Sequence, residues 1–141
     1  MKVVLDRSAE MLAWASERIA EMHGQPFPDG ASAIGVESED GKTMGVVCFH
    51  SWEPWNRTIE VSAIAEDPRW MRARSAFDMM FRYAFYVCEC DKIWSRTPRR
   101  NERALRFVWG LGFEPEAILS RQFGDDDAVI SRMFRWDWEK R

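Results

Sequence analysis

The segment from about Arg72 to Cys88 constrains the fold of this chain more than any other. Phe77, Met80, Phe81, Ala84, Phe85 and Cys88 make it read as a helix that is apolar on most sides, and such a helix has to pack against a sheet over much of its surface. Strand-like sequence stands on both sides of it. Before it, "RTIEVSAIA" alternates Ile59, Val61, Ala63 and Ala65 with Thr58, Glu60, Ser62 and Ile64, which places Glu60 and Ser62 on the face opposite Val61. After it, "KIWSRT" supplies another strand.

The remaining segments extend that sheet. "KVVL" at 2–5 suits a first strand, and Ser8 caps a helix in which Leu12, Ala15, Ile19 and Met22 recur at helical spacing before Gly24 ends it. "HGQPFPDGAS" is a loop stiffened by two prolines, placed where a substrate could enter. Strands near 31–38 and 43–51 flank Asp40–Gly41, the pair a tight hairpin prefers. Asn101 opens a helix running to Trp109 that "GLGF" closes, and residues 117–123 and 128–136 form a last hairpin around "GDDD". Elements in this order predict an α/β (α+β) fold, a twisted mixed sheet with helices on both faces. At 141 residues the expectation is one domain, 1–141, burying roughly 70% of its unfolded surface.

A formal charge of −3 gives no global argument for nucleic acid, so basic surface has to be local, as at Arg69, Arg72 and Arg74 and at Arg96, Arg99 and Arg100. Cys48, Cys88 and Cys90 lack the paired spacing of a zinc site and read as free thiols of a reducing compartment, with no metal expected. No apolar run approaches the roughly 20 residues of a membrane span, and the first residues lack a signal peptide's apolar core, so a cytoplasmic protein is expected. Trp52, Trp55 and Trp70 fall in loops that should flank a site, whereas Trp94 and Trp109 read as core. The terminal "WDWEKR" could close a homodimer.

The turn "DPRWMRARSAF" joins the alternating strand to the apolar helix, where backbone N–H groups fan out and the helix dipole is positive, a natural anion site. Glycine usually occupies such turns. If this one needs a positive φ, a non-glycine residue costs about 1 to 2 kcal/mol there. An arginine reaching a phosphate contributes about 1.5 to 3 kcal/mol in the other direction. The alternative is that the arginines simply solvate the helix start.

With Asn101, Ala104, Gly112 and Phe113 at their spacings after a strand, the chain resembles the GNAT superfamily of N-acetyltransferases over nearly its whole length. The resemblance implies a GNAT-like, mostly antiparallel sheet and acetyl-CoA as co-substrate. It places Arg69, Arg72 and Arg74 on the three marked positions of the family's pyrophosphate turn, Q/RxxGxG/A, so both small positions are large here. The cofactor-binding residues implied are Ile64, Ala65, Arg69, Arg72, Ala73, Arg74, Ser75 and Asn101, although Asn101 could equally be an N-cap. Glu60, the only acid in its strand, takes the place of the family's base; its alternative is a solvent-facing residue paired with a nearby cation. His50 and His23 are further candidate bases. The usual general acid is a Tyr seven residues after the Asn, a position held here by Val108. Two readings stay open: an enzyme acetylating a primary amine of a small molecule or peptide, and a non-catalytic module of the same fold that binds a CoA-like ligand or a protein partner.

Overall fold

The computed structural model describes residues 1–23 and 27–141, without the side chains of residues 20–23. The expected helix end at Gly24, the His23 and Met22 side chains and the Gln25–Pro26 part of the stiff loop lie outside the described residues. Seven strands, β1 (Lys2–Val4), β2 (Ser32–Glu37), β3 (Thr43–Glu53), β4 (Thr58–Ala65), β5 (Lys92–Pro98), β6 (Glu114–Phe123) and β7 (Asp126–Phe134), form one sheet in the order β1-β2-β3-β4-β5-β7-β6. All neighbours are antiparallel except β4 and β5, giving the mixed, mostly antiparallel sheet the sequence predicts.

Helices cover both faces. On one, Met11 and Ala15 of α1 (Ser8–His23) bury Val4, Ala33, Val46, Cys48 and Ile64. On the other, α2 (Arg74–Arg82) and α3 (Glu102–Gly110) cover Val36, Val47, Phe49, Ile59, Val61, Ile93 and Met133. Two glycines set how closely these layers approach. A Cβ on Gly35 would strike the Met11 thioether, and one on Gly45 would lie 2.6 Å from the Trp70 ring.

The apolar segment is three pieces rather than one helix. A 3₁₀ helix covers Pro68–Arg72, α2 follows, and a π-helical turn, Tyr83–Val87, completes it. Pro68 suits the start of the 3₁₀ helix, and the Asp67 carboxylate accepts the Arg69 N–H at 3.0 Å. Trp70, expected in a loop at the site's edge, is instead core, because its ring fills the space over Gly45 and meets Phe77 and Phe107 at 5.1 and 5.8 Å. Trp109, expected in the core, is 41% exposed, and its indole N–H donates to Ser131 Oγ at 3.1 Å; Trp94 is half-buried. The last residues form the short α4 (Arg135–Glu139), whose Trp138 packs on Phe81 and Phe85 at 5.8 and 5.6 Å. Within the segment expected to close a homodimer, that indole is engaged inside the chain while Trp136 is 46% exposed.

β4 and β5 pair only at Thr58–Lys92, Ile59–Ile93 and Glu60–Trp94. Beyond Glu60, β4 stays paired with β3 as far as Ala65, and beyond Trp94, β5 stays paired with β7 as far as Pro98. The sheet is therefore open between 61–65 and 95–98. The 3₁₀ turn leading into α2 follows one parted strand and the start of α3 follows the other, so both lie at the mouth of this cleft.

Candidate active site

Glu60 stands at the throat, the last residue of β4 to pair with β5, and is 2% exposed. A buried carboxylate needs partners, and two parted strands supply them. Arg96, two residues past the parting on β5, donates through Nε to Glu60 Oε2 at 3.0 Å and through Nη2 to Oε1 at 3.3 Å. From β3, His50 lies directly opposite Glu60 in the antiparallel register, with Nδ1 3.7 Å from Glu60 Oε1. His50 Nε2 shares a 2.7 Å hydrogen bond with Ser62 Oγ, and Nδ1 shares one of 3.2 Å with Ser51 Oγ. The Phe27 ring packs over the imidazole at 5.3 Å. Burial pushes the His50 pKa below the usual histidine value, Arg96 adds to the depression, and Glu60 opposes both. The depression favours the neutral imidazole, the form that can accept a proton. Glu60 does pair with a cation, but from inside the sheet rather than toward solvent.

At the mouth, Arg69 folds back on its own turn. Its Nη2 lies 2.6 Å from Asp67 Oδ2, and this bond holds the Asp67 carboxyl at about 2. Arg72 and Arg74 are exposed and form no ion pair with any described residue. No residue of the turn takes a positive φ; Ala73 has φ −79°, and among the described residues the non-glycine positions that do are Ser51, Arg57, Glu89 and Arg121. The conformational penalty considered for Arg72 and Arg74 does not arise, because a 3₁₀ helix anchored by Trp70 uses ordinary backbone. Ala73 gives α2 no side-chain cap, so the amides of Arg74 and Ser75 begin that helix uncapped.

Along the cleft, Ala63 and Ala65 are exposed small residues on β4, while Ile64 is turned into the α1 layer. On β5, Ser95 is 7% exposed, and its Oγ is the buried side-chain polar atom without a hydrogen-bond partner among the described residues. Such an atom is rare in a folded interior and marks bonding capacity left unmet. Asn101 is an N-cap, its Oδ1 accepting the Ala104 N–H at 3.2 Å. Arg99 and Arg100 are engaged by the acids of the β6–β7 turn, Asp127 at 3.6 Å and Asp125 at 3.2 Å. Val108, in the position of the missing Tyr, packs partly buried against the core. The three cysteines are free thiols, and burial raises Cys48 to about 12 and Cys90 to about 11, so neither serves as a thiolate at neutral pH. A cavity of about 660 Å³ between α3 and β6 is lined by Leu105, Trp109 and Ile118 and holds none of the expected site residues.

Sequence reading places Glu60 and Ser62 on one face but does not bring His50 and Arg96 to them. The available signal is three polar side chains, His50, Glu60 and Ser62, in neighbouring strands whose central residues are otherwise apolar.

No protein-family model matches the sequence, and no curated protein sequence does. Solved structures match over the whole chain. A spermidine N-acetyltransferase SpeG chimera from Vibrio cholerae and hSSAT superposes with a TM-score of 0.76 at 16% identity, covering 99% of each chain. Mutant forms of the Vibrio cholerae spermidine/spermine N-acetyltransferase SpeG superpose with a TM-score of 0.78 at 17% identity, again over 99% of each. A dodecameric spermidine N-acetyltransferase from the same organism gives 0.77 at 15% identity, over 97% of this chain and 95% of that one. At these identities the likeness establishes the fold, and it is the GNAT fold that the motifs around Asn101 resemble.

Proposed function

We propose that this chain is an N-acetyltransferase that moves the acetyl group of acetyl-CoA to a primary amine. The observation that carries the reading is the parting of β4 and β5 directly beyond a buried Glu60, with Ser95, whose buried hydroxyl has no partner among the described residues, on the parted stretch of β5 and with Arg72 and Arg74, paired with no described residue, at the mouth of the cleft. These residues fit a long polar thioester ending in phosphates. Arg72 and Arg74, with the amides of Arg74 and Ser75, would hold the pyrophosphate, while Ala73, whose own N–H donates to Trp70 O at 2.9 Å, would line the turn, and charge there replaces the close approach of glycine. Arg69 acts through Asp67, shaping the turn. Ile64 and Ala65 form the β4 wall, and Asn101 fixes the start of α3 at the mouth. Acetyl-CoA, when bound, supplies an activated acyl group.

Glu60 contributes negative charge at the throat, where an acceptor ammonium has to lose a proton before its nitrogen can attack. The structures matched are named for spermidine, which supports a small amine as the acceptor and makes polyamines the first to test. We place the protein in the cytoplasm, a setting consistent with three free thiols, and keep the homodimer as part of the reading. Val108 favours the second reading, a CoA-binding module without turnover, because it leaves no Tyr to protonate the leaving thiolate. Incubation with acetyl-CoA and a panel of spermidine, spermine, a monoamine and a short peptide decides between them. Acetylated product with equimolar free thiol is expected; tight acetyl-CoA binding with no product across the panel would make this the non-catalytic module.

A further inference from the structure

Building on the acetyltransferase reading above, we infer that Ser62, His50 and Glu60 form a proton relay in which the Ser62 hydroxyl meets the acceptor amine and the His50 imidazole, not the Glu60 carboxylate, takes the proton. Three observations converge on it. Both oxygens of Glu60 are held by the Arg96 guanidinium, at 3.0 and 3.3 Å, and its side chain is 3% exposed. A carboxylate so clamped and so buried cannot reach an incoming amine. Ser62, by contrast, lies two residues beyond the last paired position of β4, in the stretch that β5 has left, and is half-buried rather than closed off. His50 joins the two, 2.7 Å from Ser62 Oγ through Nε2 and 3.7 Å from Glu60 Oε1 through Nδ1.

The electrostatics choose the tautomer. Negative charge on the Nδ1 side favours the proton on Nδ1, which leaves the Nε2 lone pair to accept the Ser62 O–H. The charged groups acting on the ring are Glu60 from β4 and Arg96 from β5; β3 adds the neutral Ser51 hydroxyl, and the segment ahead of β2 presents the uncharged Phe27 ring. The arrangement is the hydroxyl–imidazole–carboxylate series of a hydrolase triad, recognised by geometry rather than by sequence order.

In the transfer, the amine nitrogen forms the C–N bond to the acetyl carbon as its proton passes to Ser62 Oγ, whose own proton passes to His50 Nε2. The C–S bond breaks with its electron pair leaving on sulfur. Glu60 stabilises the imidazolium, which returns its proton to the thiolate or to water. Ser62 and His50 are then catalytic residues, and Glu60 and Arg96 are positioning residues.

The chain has only two histidines, so nitrogen-detected NMR of the free protein, with His50→Gln for assignment, reads the relay without any substrate. A neutral imidazole at pH 7, protonated on Nδ1, is expected. An Nε2-protonated ring, or one charged at pH 7, overturns the inference even if the enzyme acetylates amines. Kinetics give the second arm. His50→Gln should lower kcat at least about 100-fold with acetyl-CoA affinity unchanged, the usual worth of a positioned base. Ser62→Ala should lower kcat about tenfold or more. Glu60→Gln should leave measurable turnover, with the acidic limb of the rate profile moved to lower pH, since loss of the carboxylate lets the His50 pKa fall further. A Glu60→Gln enzyme without turnover beside an active His50→Gln enzyme would return the base to Glu60. An acetyl adduct on Ser62 in the intact mass would make it a nucleophile and overturn the relay. A wild-type chain that acetylates nothing refutes the acetyltransferase reading, while the NMR result still judges the geometry.

Discussion

The two ends of the β4–β5 pair share the same strands and differ in how their polar groups are settled. At the closed end, Asp91 accepts from Arg57 Nε at 2.9 Å and from Arg135 Nε at 3.4 Å, its N–H donates to Arg57 O at 2.7 Å, and its O accepts the Arg135 N–H at 2.8 Å. Arg57 heads the causes that hold the Asp91 carboxyl below the usual carboxylate range. Even strain is accommodated there, with Arg57 and Glu89 at φ 57° and 56°. At the open end, the Ser95 hydroxyl has no partner and Arg72 and Arg74 form no ion pair among the described residues, and α2 starts without a side-chain cap. The difference teaches where to look for a ligand. A chain that pairs the polar groups at one end of these strands leaves those at the other unmet, and in the proposed function an acyl thioester with phosphates completes them.

Three substitutions break or sharpen this contrast. The largest effect is expected for Trp70→Ala, which removes the anchor of the open-end turn. A loss of about 3 to 5 kcal/mol in urea unfolding is expected, together with weaker acetyl-CoA binding. An unchanged midpoint would mean that the turn does not depend on the core. Next, Asp91→Ala should cost about 1 kcal/mol of stability, as a partly exposed charge network does, and leave acetyl-CoA affinity alone. Weaker binding in that variant would erase the distinction between the ends. The smallest effect belongs to Ser95→Ala. Removing an unsatisfied hydroxyl should change the free chain's stability by less than about 1 kcal/mol, while losing a ligand hydrogen bond weakens acetyl-CoA binding about fivefold. Calorimetry on the same samples reads both numbers, and a variant that is destabilised but binds normally would show that Ser95 serves the fold.

What the sequence discloses follows how local the cause is. The Asp40–Gly41 hairpin, the Asn101 cap and the alternation that sets Glu60 and Ser62 on one face are consequences of a few neighbouring residues, and all are present in the structure. The burial of Trp70 is not local, since it depends on Gly45 on a strand some 25 residues earlier being bare. Nor is the meeting of His50 with Glu60. The register between β3 and β4 shifts between His50 and Glu53, with Ser51 at φ 55°, so counting back from the hairpin tip misplaces the pair. Arg96 reaches Glu60 only because β4 and β5 run parallel and then part, which no periodicity in either strand reveals. The motif spacing put arginines where glycines are usual; their backbone angles show why they fit.

Titration of the chain with acetyl-CoA at low and high salt, beside an Arg72→Ala, Arg74→Ala double variant, tests the central claim most directly. The open end should bind acetyl-CoA, more weakly as salt rises, and the double variant should bind more weakly with a shallower salt dependence, because exposed cations act on phosphates through a screened field. No heat at millimolar acetyl-CoA would contradict the claim outright, and equal affinity in the double variant would return Arg72 and Arg74 to surface charge.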